Sequence, residues 1–203
     1  MAVHTRWKVL GFGVAACILA GCSGDPGPAT PNTSTPSSPE SSTASSVFAP
    51  PKITNPLPAG TLDGDPCRAL TPSQLTTFLG SSTTGVPSDS GLAKTCHWAN
   101  NDRGSLITVQ FVYIWRDGLG HVYAKKDRGF FEELAPVQGY PVVAYGARDD
   151  RSTGRCGVAV GIADNAAFEA DATISRSNVG KTDACDAARR ISDAVVTTLK
   201  GGA

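Results

Sequence analysis

Four cysteines, Cys67, Cys96, Cys156 and Cys185, lie in the last two-thirds of this 203-residue chain and constrain its fold more than any other feature. There is no C-x-x-C, and the spacings fit no compact metal motif. In an exported chain this even number points to two disulfides rather than to a zinc or redox site. Four cysteines allow three connectivities. The surrounding pattern favours Cys67 with Cys96 and Cys156 with Cys185. Cys67 precedes the first helix signal, Cys185 lies in the last helix, and Cys96 and Cys156 lie in strand-like runs. Each bridge would then clamp a terminal helix to a sheet.

The N-terminus supplies the compartment. Arg6 and Lys8 precede an apolar run from Val9 to Ala20, which falls short of the ~20 residues of a membrane span but suits the core of a signal peptide. The run ends in Leu19-Ala20-Gly21-Cys22, which resembles the bacterial lipobox. Residues 1–21 are therefore expected to be a lipoprotein signal peptide, with Cys17 leaving as a small hydrophobe of its core. Cys22 is expected to become a lipidated N-terminus carrying palmitate-type chains. Two acyl chains anchor stably where one is marginal. The expected location is the extracytoplasmic face of the cell membrane.

Residues 22–60 hold nine of the 14 prolines, many Ser and Thr, and almost no large apolar side chains before Val47-Phe48. Such a stretch cannot bury enough surface to offset the entropy of ordering, so it reads as a disordered tether. Residues 61–203 are left for one folded domain with 15 basic and 16 acidic side chains. The whole chain has 18 of each, scattered singly. That gives no basic footprint for a nucleic-acid backbone, and no nucleic-acid partner is expected.

Within the domain, Thr71-Pro72-Ser73-Gln74 supplies an N-cap, a proline at the first helical position and a Gln that completes a capping box. Gly80 suits the C-terminal end. Lys94–Trp98 and Ser105–Trp115 read as strands of a hairpin around Asn100-Asn101-Asp102-Arg103-Gly104. Val122, Tyr123, Lys126, Phe130 and Leu134 lie near helical spacing, which predicts a helix over 119–134, weakened by Gly129. Tyr140–Ala147 and Arg155–Ile162 read as a second hairpin. Phe168, Ala170, Ala172 and Ile174 alternate with Glu169, Asp171, Thr173 and Ser175, the pattern of a strand with one wet face. A last helix opens at Asp183. The order predicts an α+β fold, a single domain with an antiparallel sheet of about five strands, flanking helices and two disulfides.

Chemistry is harder to find. No G-x-S-x-G, P-loop, G-x-G-x-x-G or H-E-x-x-H occurs in the domain. Asp63-Gly64-Asp65 is too short for a calcium loop. His97 and His121 have no partner placed by a motif. The adjacent pairs Glu132-Glu133 and Asp149-Asp150 diverge in direction and read as solvated charge. No catalytic residue, metal ligand or cofactor is assigned. The strand face of Ile107, Val109, Phe111, Tyr113 and Trp115 reads as core. With Trp98 nearby, it could also line a cavity for an apolar ligand.

Asp65-Pro66-Cys67 before Leu70-Thr71-Pro72-Ser73-Gln74-Leu75, Cys96-His97-Trp98 and Asp183-Ala184-Cys185, together with the lipobox, the stalk and Asn55-Pro56-Leu57, complete the pattern. The chain resembles the actinobacterial cell-envelope lipoproteins of unknown function that include the LprB and LprC type of mycobacteria. The resemblance covers about residues 50–200. It implies an envelope lipoprotein with no established activity and no catalytic residues. The expected role is a non-enzymatic binding or accessory module, partnered by an envelope protein or an apolar ligand. The alternative is an envelope hydrolase using an unrecognised carboxylate pair.

Overall fold

The computed structural model describes residues 49–202. Cys22 and the signal segment lie outside the described residues. Seven strands form one antiparallel sheet: β1 (Val86–Asp89), β2 (Ala93–Asn100), β3 (Ser105–Val112), β4 (Phe130–Val137), β5 (Tyr140–Gly146), β6 (Arg155–Ala163) and β7 (Ala166–Thr173), in the spatial order β1-β2-β3-β7-β6-β5-β4. Two meanders, β1-β2-β3 and β4-β5-β6-β7, meet where β7 pairs with β3. The chain reaches the far edge through residues 113–129, which include the short helix α2 (Gly120–Tyr123).

The fold is α+β and antiparallel, but its sheet has seven strands rather than about five. The first addition is β1, an edge strand of Val-Pro-Ser-Asp that is exposed throughout and tolerates Pro87 because it lies at the edge. The second is β4, which takes the end of the helix expected over 119–134, from Phe130 onward. Within it Gly120–Tyr123 is α-helical and Lys126–Arg128 forms a 3-10 turn, and from Phe130 the chain pairs with β5. Phe130 and Leu134 keep an i, i+4 spacing there by coincidence. A further correction concerns β3, which ends at Val112. Tyr113 and Trp115 are therefore not on the face of Ile107, Val109 and Phe111.

Helices α1 (Pro72–Leu79) and α3 (Ala184–Lys200) pack on one face of the sheet. α1 starts with a complete capping box: Gln74 N donates to Thr71 Oγ1 at 3.3 Å and Thr71 N donates to Gln74 Oε1 at 2.7 Å. It stops at Gly80, whose φ of 78° suits a residue without a Cβ. In α3, Asp183 Oδ1 accepts from the backbone N–H groups of Cys185 and Asp186. The helix buries Ala188, Ile191, Val195 and Val196 against Val158, Val160, Phe168 and Ala170 of β6 and β7. The expected apolar strand face is closed by this packing: Trp98, Ile107, Val109 and Phe111 are all buried.

Disulfides Cys67–Cys96 and Cys156–Cys185 tie the turn before α1 to β2 and the first turn of α3 to β6. The packed structure begins upstream of residue 61. Leu57 N donates to Ile162 O at 2.9 Å, the Tyr140 hydroxyl donates to Asn55 O, and Ile53 N donates to Asp164 Oδ1.

On the opposite face, the 113–129 crossing buries Trp115, Leu119, Val122 and Tyr123 against Val143, Ala159 and Ala167. Beside this second apolar cluster, the same face of the sheet turns polar.

Candidate functional site

Strand alternation builds the polar region. On β7, Phe168, Ala170 and Ala172 point to the helices, so Glu169 and Asp171 point to the other face. Register brings each a polar neighbour on one side and a small one on the other. Glu169 is paired with Gln110 and Ala159, and Asp171 with Thr108 and Gly157. Gln110 Nε2 donates to Asp171 Oδ2 at 3.3 Å, and Thr95 Oγ1 donates to Gln110 Oε1 at 3.4 Å. His97 Nδ1 lies 3.0 Å from Thr108 Oγ1. From β5, the Tyr145 hydroxyl donates to Glu169 Oε1. Residues of β2, β3, β7 and β5 thus form a file of polar side chains across the sheet.

The two carboxyls are partly buried, and burial disfavours their charged form. It pushes Glu169 up to about 8, helped by the charge of Asp171. Asp171 is also raised by burial, against the opposing pull of the Gln110 hydrogen bond and the His97 charge. Glu169 therefore holds its proton through neutral pH and can both donate and accept. This combination is costly to build into a fold and is characteristic of functional sites.

Asp171, Gly157 and Tyr145 also line a cleft of about 450 Å³ with Phe130, Arg148 and Arg155. A neighbouring cleft of about 330 Å³ shares Phe130 and Tyr145 and is lined by Trp115, His121 and Lys125. Here His121 stacks on Trp115, with ring centroids 5.3 Å apart, and its Nε2 accepts from Lys125 Nζ at 2.6 Å. Burial and then the Lys125 charge lower the His121 pKa against the opposing pull of Asp117, which favours the neutral imidazole.

The residues considered from sequence are distributed otherwise. Glu132 and Asp149 are brought together by Arg151, at 2.8 and 2.6 Å. Glu133 accepts from the Tyr123 hydroxyl, and Asp150 pairs with Arg148. None of these four joins Glu169, but Asp150 lines the same cleft as Asp171. His97 reaches the polar file through Thr108, and His121 lies in the adjoining aromatic cleft. Among the described residues, no three His, Cys, Asp or Glu side chains form a group that could hold a metal ion. No helix among them is long and apolar enough to cross a membrane.

Sequence reading missed Glu169, Asp171, Tyr145 and Gln110. The available signal was two carboxylates at i, i+2 on one strand. They were read as a wet face because the strands that enclose them are remote in sequence.

A family model described as a protein of unknown function (DUF3558) matches residues 17–198. Neither the curated proteins nor the solved structures contain a match to this chain.

Proposed function

The chain belongs to the DUF3558 family of proteins of unknown function, so its activity has to be read from its own residues, and we propose a lipid-anchored, extracytoplasmic binding module of the cell envelope. In this reading Cys22 carries the lipid and residues 23–48 form the outer part of the tether. The module belongs with the actinobacterial envelope lipoproteins that the cysteine contexts resemble. The family match begins at residue 17 and takes in Cys22, which supports treating the lipobox and the domain as one design. Labelled palmitate that still incorporated into a Cys22→Ala chain would contradict the anchor.

The observation that carries the binding role is the buried Glu169–Asp171 pair, of which Asp171 lines a cleft together with Tyr145 and Phe130. Binding supplies what the free protein lacks there. A ligand hydroxyl or amine donating to Asp171 replaces the water that burial removed, and Tyr145 and Phe130 offer apolar contact alongside. The ligand class is thus a small polar molecule with hydrogen-bond donors and one apolar face. Native mass spectrometry of the full chain taken from its own membranes tests it, with a bound small-molecule mass as the supporting result.

The Glu169 pKa favours one second reading, an envelope hydrolase in which this carboxyl is the general acid. It requires release of product from isolated wall or lipid material by the wild type and none by Glu169→Gln. Binding that persists in Glu169→Gln without turnover by either protein supports the module.

A further inference from the structure

A different cavity lies on the helix side of the sheet, between α1, α3 and the adjoining ends of β3 and β7, with a volume of about 220 Å³. Its walls combine Phe78 and Leu79 of α1, Ile107 of β3, Ile174 just after β7 and Ile191 of α3. Its charged residues are Arg103 and Arg190, with no carboxylate among those lining it.

Neither arginine forms an ion pair within 4.0 Å among the described residues, where every carboxylate pairing of an arginine involves Arg148, Arg151 or Arg189. Arg103 gives one guanidinium nitrogen to the carbonyl of Leu79, at 3.5 Å, and its guanidinium makes no other hydrogen bond among the described residues. A second observation points the same way. Ser105 also lines the cavity, is only 6% exposed, and its hydroxyl has no hydrogen-bond partner among the described residues. A buried hydroxyl left unpaired costs about 1–3 kcal/mol and needs an explanation. A ligand oxygen in the cavity provides one.

We propose that this cavity binds a small amphiphilic anion, a carboxylate on a short apolar tail. The tail lies against Phe78, Ile107 and Ile191, and the carboxylate meets Arg103, Arg190 and the Ser105 hydroxyl. Size sets the class. An apolar cavity of about 150 Å³ holds benzene, whereas drug-sized ligands occupy roughly 300 Å³ or more. A cavity of about 220 Å³ accordingly takes a phenyl ring or a short acyl chain, not a whole lipid. Charge sets the head group, because two guanidiniums with no internal counter-ion favour an anion and planar carboxylates match their fork. The site is independent of the Asp171 cleft, which opens on the other face of the sheet.

Titration of the isotopically labelled full chain with sodium octanoate, followed through isoleucine methyl resonances, tests the proposal. The expected result is saturable binding that shifts Ile107, Ile174 and Ile191. Octan-1-ol, with the same tail and no charge, should bind at least tenfold more weakly. The Arg103→Gln/Arg190→Gln double variant alters only exposed side chains, and it should also weaken octanoate at least tenfold. Ala187→Leu, which fills the cavity from α3, should abolish the isoleucine shifts. No saturable octanoate binding, equal affinity for octanol, or unchanged affinity in the double arginine variant would each overturn it.

Discussion

Gly157 faces Asp171 across the β6–β7 ladder, and the Asp171 carboxylate fills the space that a side chain at 157 would take. A Cβ built on Gly157 would overlap Asp171 Oδ1. Replacing a strand glycine by alanine ordinarily stabilises by roughly 0.5–1 kcal/mol. Here Gly157→Ala is expected to give no gain or a loss. Adding Asp171→Ala should restore the gain, with a coupling of about 1 kcal/mol in a double-mutant cycle of chemical denaturation. Simple additivity would mean that the carboxylate does not use this space.

Glu169 gives the domain a pH dependence of definite sign. Its carboxyl rises from the ordinary 4.5 to about 8 in the folded chain, so folding favours the protonated form. Its contribution is fully present below about pH 4.5 and is lost as pH rises toward 8. Asp171, also raised, acts in the same direction. Glu169→Gln cannot ionise and keeps an acceptor for the Tyr145 hydroxyl. It should be more stable than the wild type by roughly 2 kcal/mol at pH 9, with the difference shrinking toward pH 5. Urea unfolding at the two pH values reads this directly, and a difference of equal size at both would contradict it.

The disulfides are expected to matter unequally for structure but similarly for stability. Each joins residues 29 apart, and on the chain-entropy model removing either costs about 3–4 kcal/mol. Cys156→Ala/Cys185→Ala frees the start of α3 from β6, so amide protection should fall first in residues 184–190. Cys67→Ala/Cys96→Ala should instead loosen the turn before α1. Hydrogen exchange separates the two patterns.

Arg151 holds Glu132 and Asp149 at one guanidinium and lies over the Phe130 ring, 4.8 Å from its centroid. These groups are partly solvated, so Arg151→Ala should lower stability by less than about 1 kcal/mol. It should also return the Asp149 pKa, lowered chiefly by the Arg151 hydrogen bonds, to the ordinary aspartate range in an NMR titration.

Legibility followed the range of the interactions involved. The capping box at Thr71 and Gln74, the Asp183 cap and the hairpins around residues 101–104 and 147–154 depend on neighbours in the chain, and all could be read from sequence. The end of the 119–134 stretch could not, because from Phe130 its fate is decided by pairing with β5. The i, i+4 spacing of Phe130 and Leu134 gave no warning of that pairing. β1 has no buried residue and hence no hydrophobic alternation to detect. The polar site was hidden for a related reason. Alternation showed that Glu169 and Asp171 share a face. Their burial comes from Gln110, Tyr145 and Gly157, which reach them from three other strands.

The binding role is best judged by native mass spectrometry of the full chain recovered from the membranes of the cell that makes it, beside Gly157→Leu and Asp171→Ala. The first variant fills the cleft and the second removes the Asp171 carboxylate, leaving Asp150 and the ladder bonds in place. The expected result is a small-molecule mass on the wild type that is lost from both folded variants. Wild-type chain at its own mass alone, or the same adduct on all three proteins, would contradict the assignment of the Asp171 cleft as a binding site.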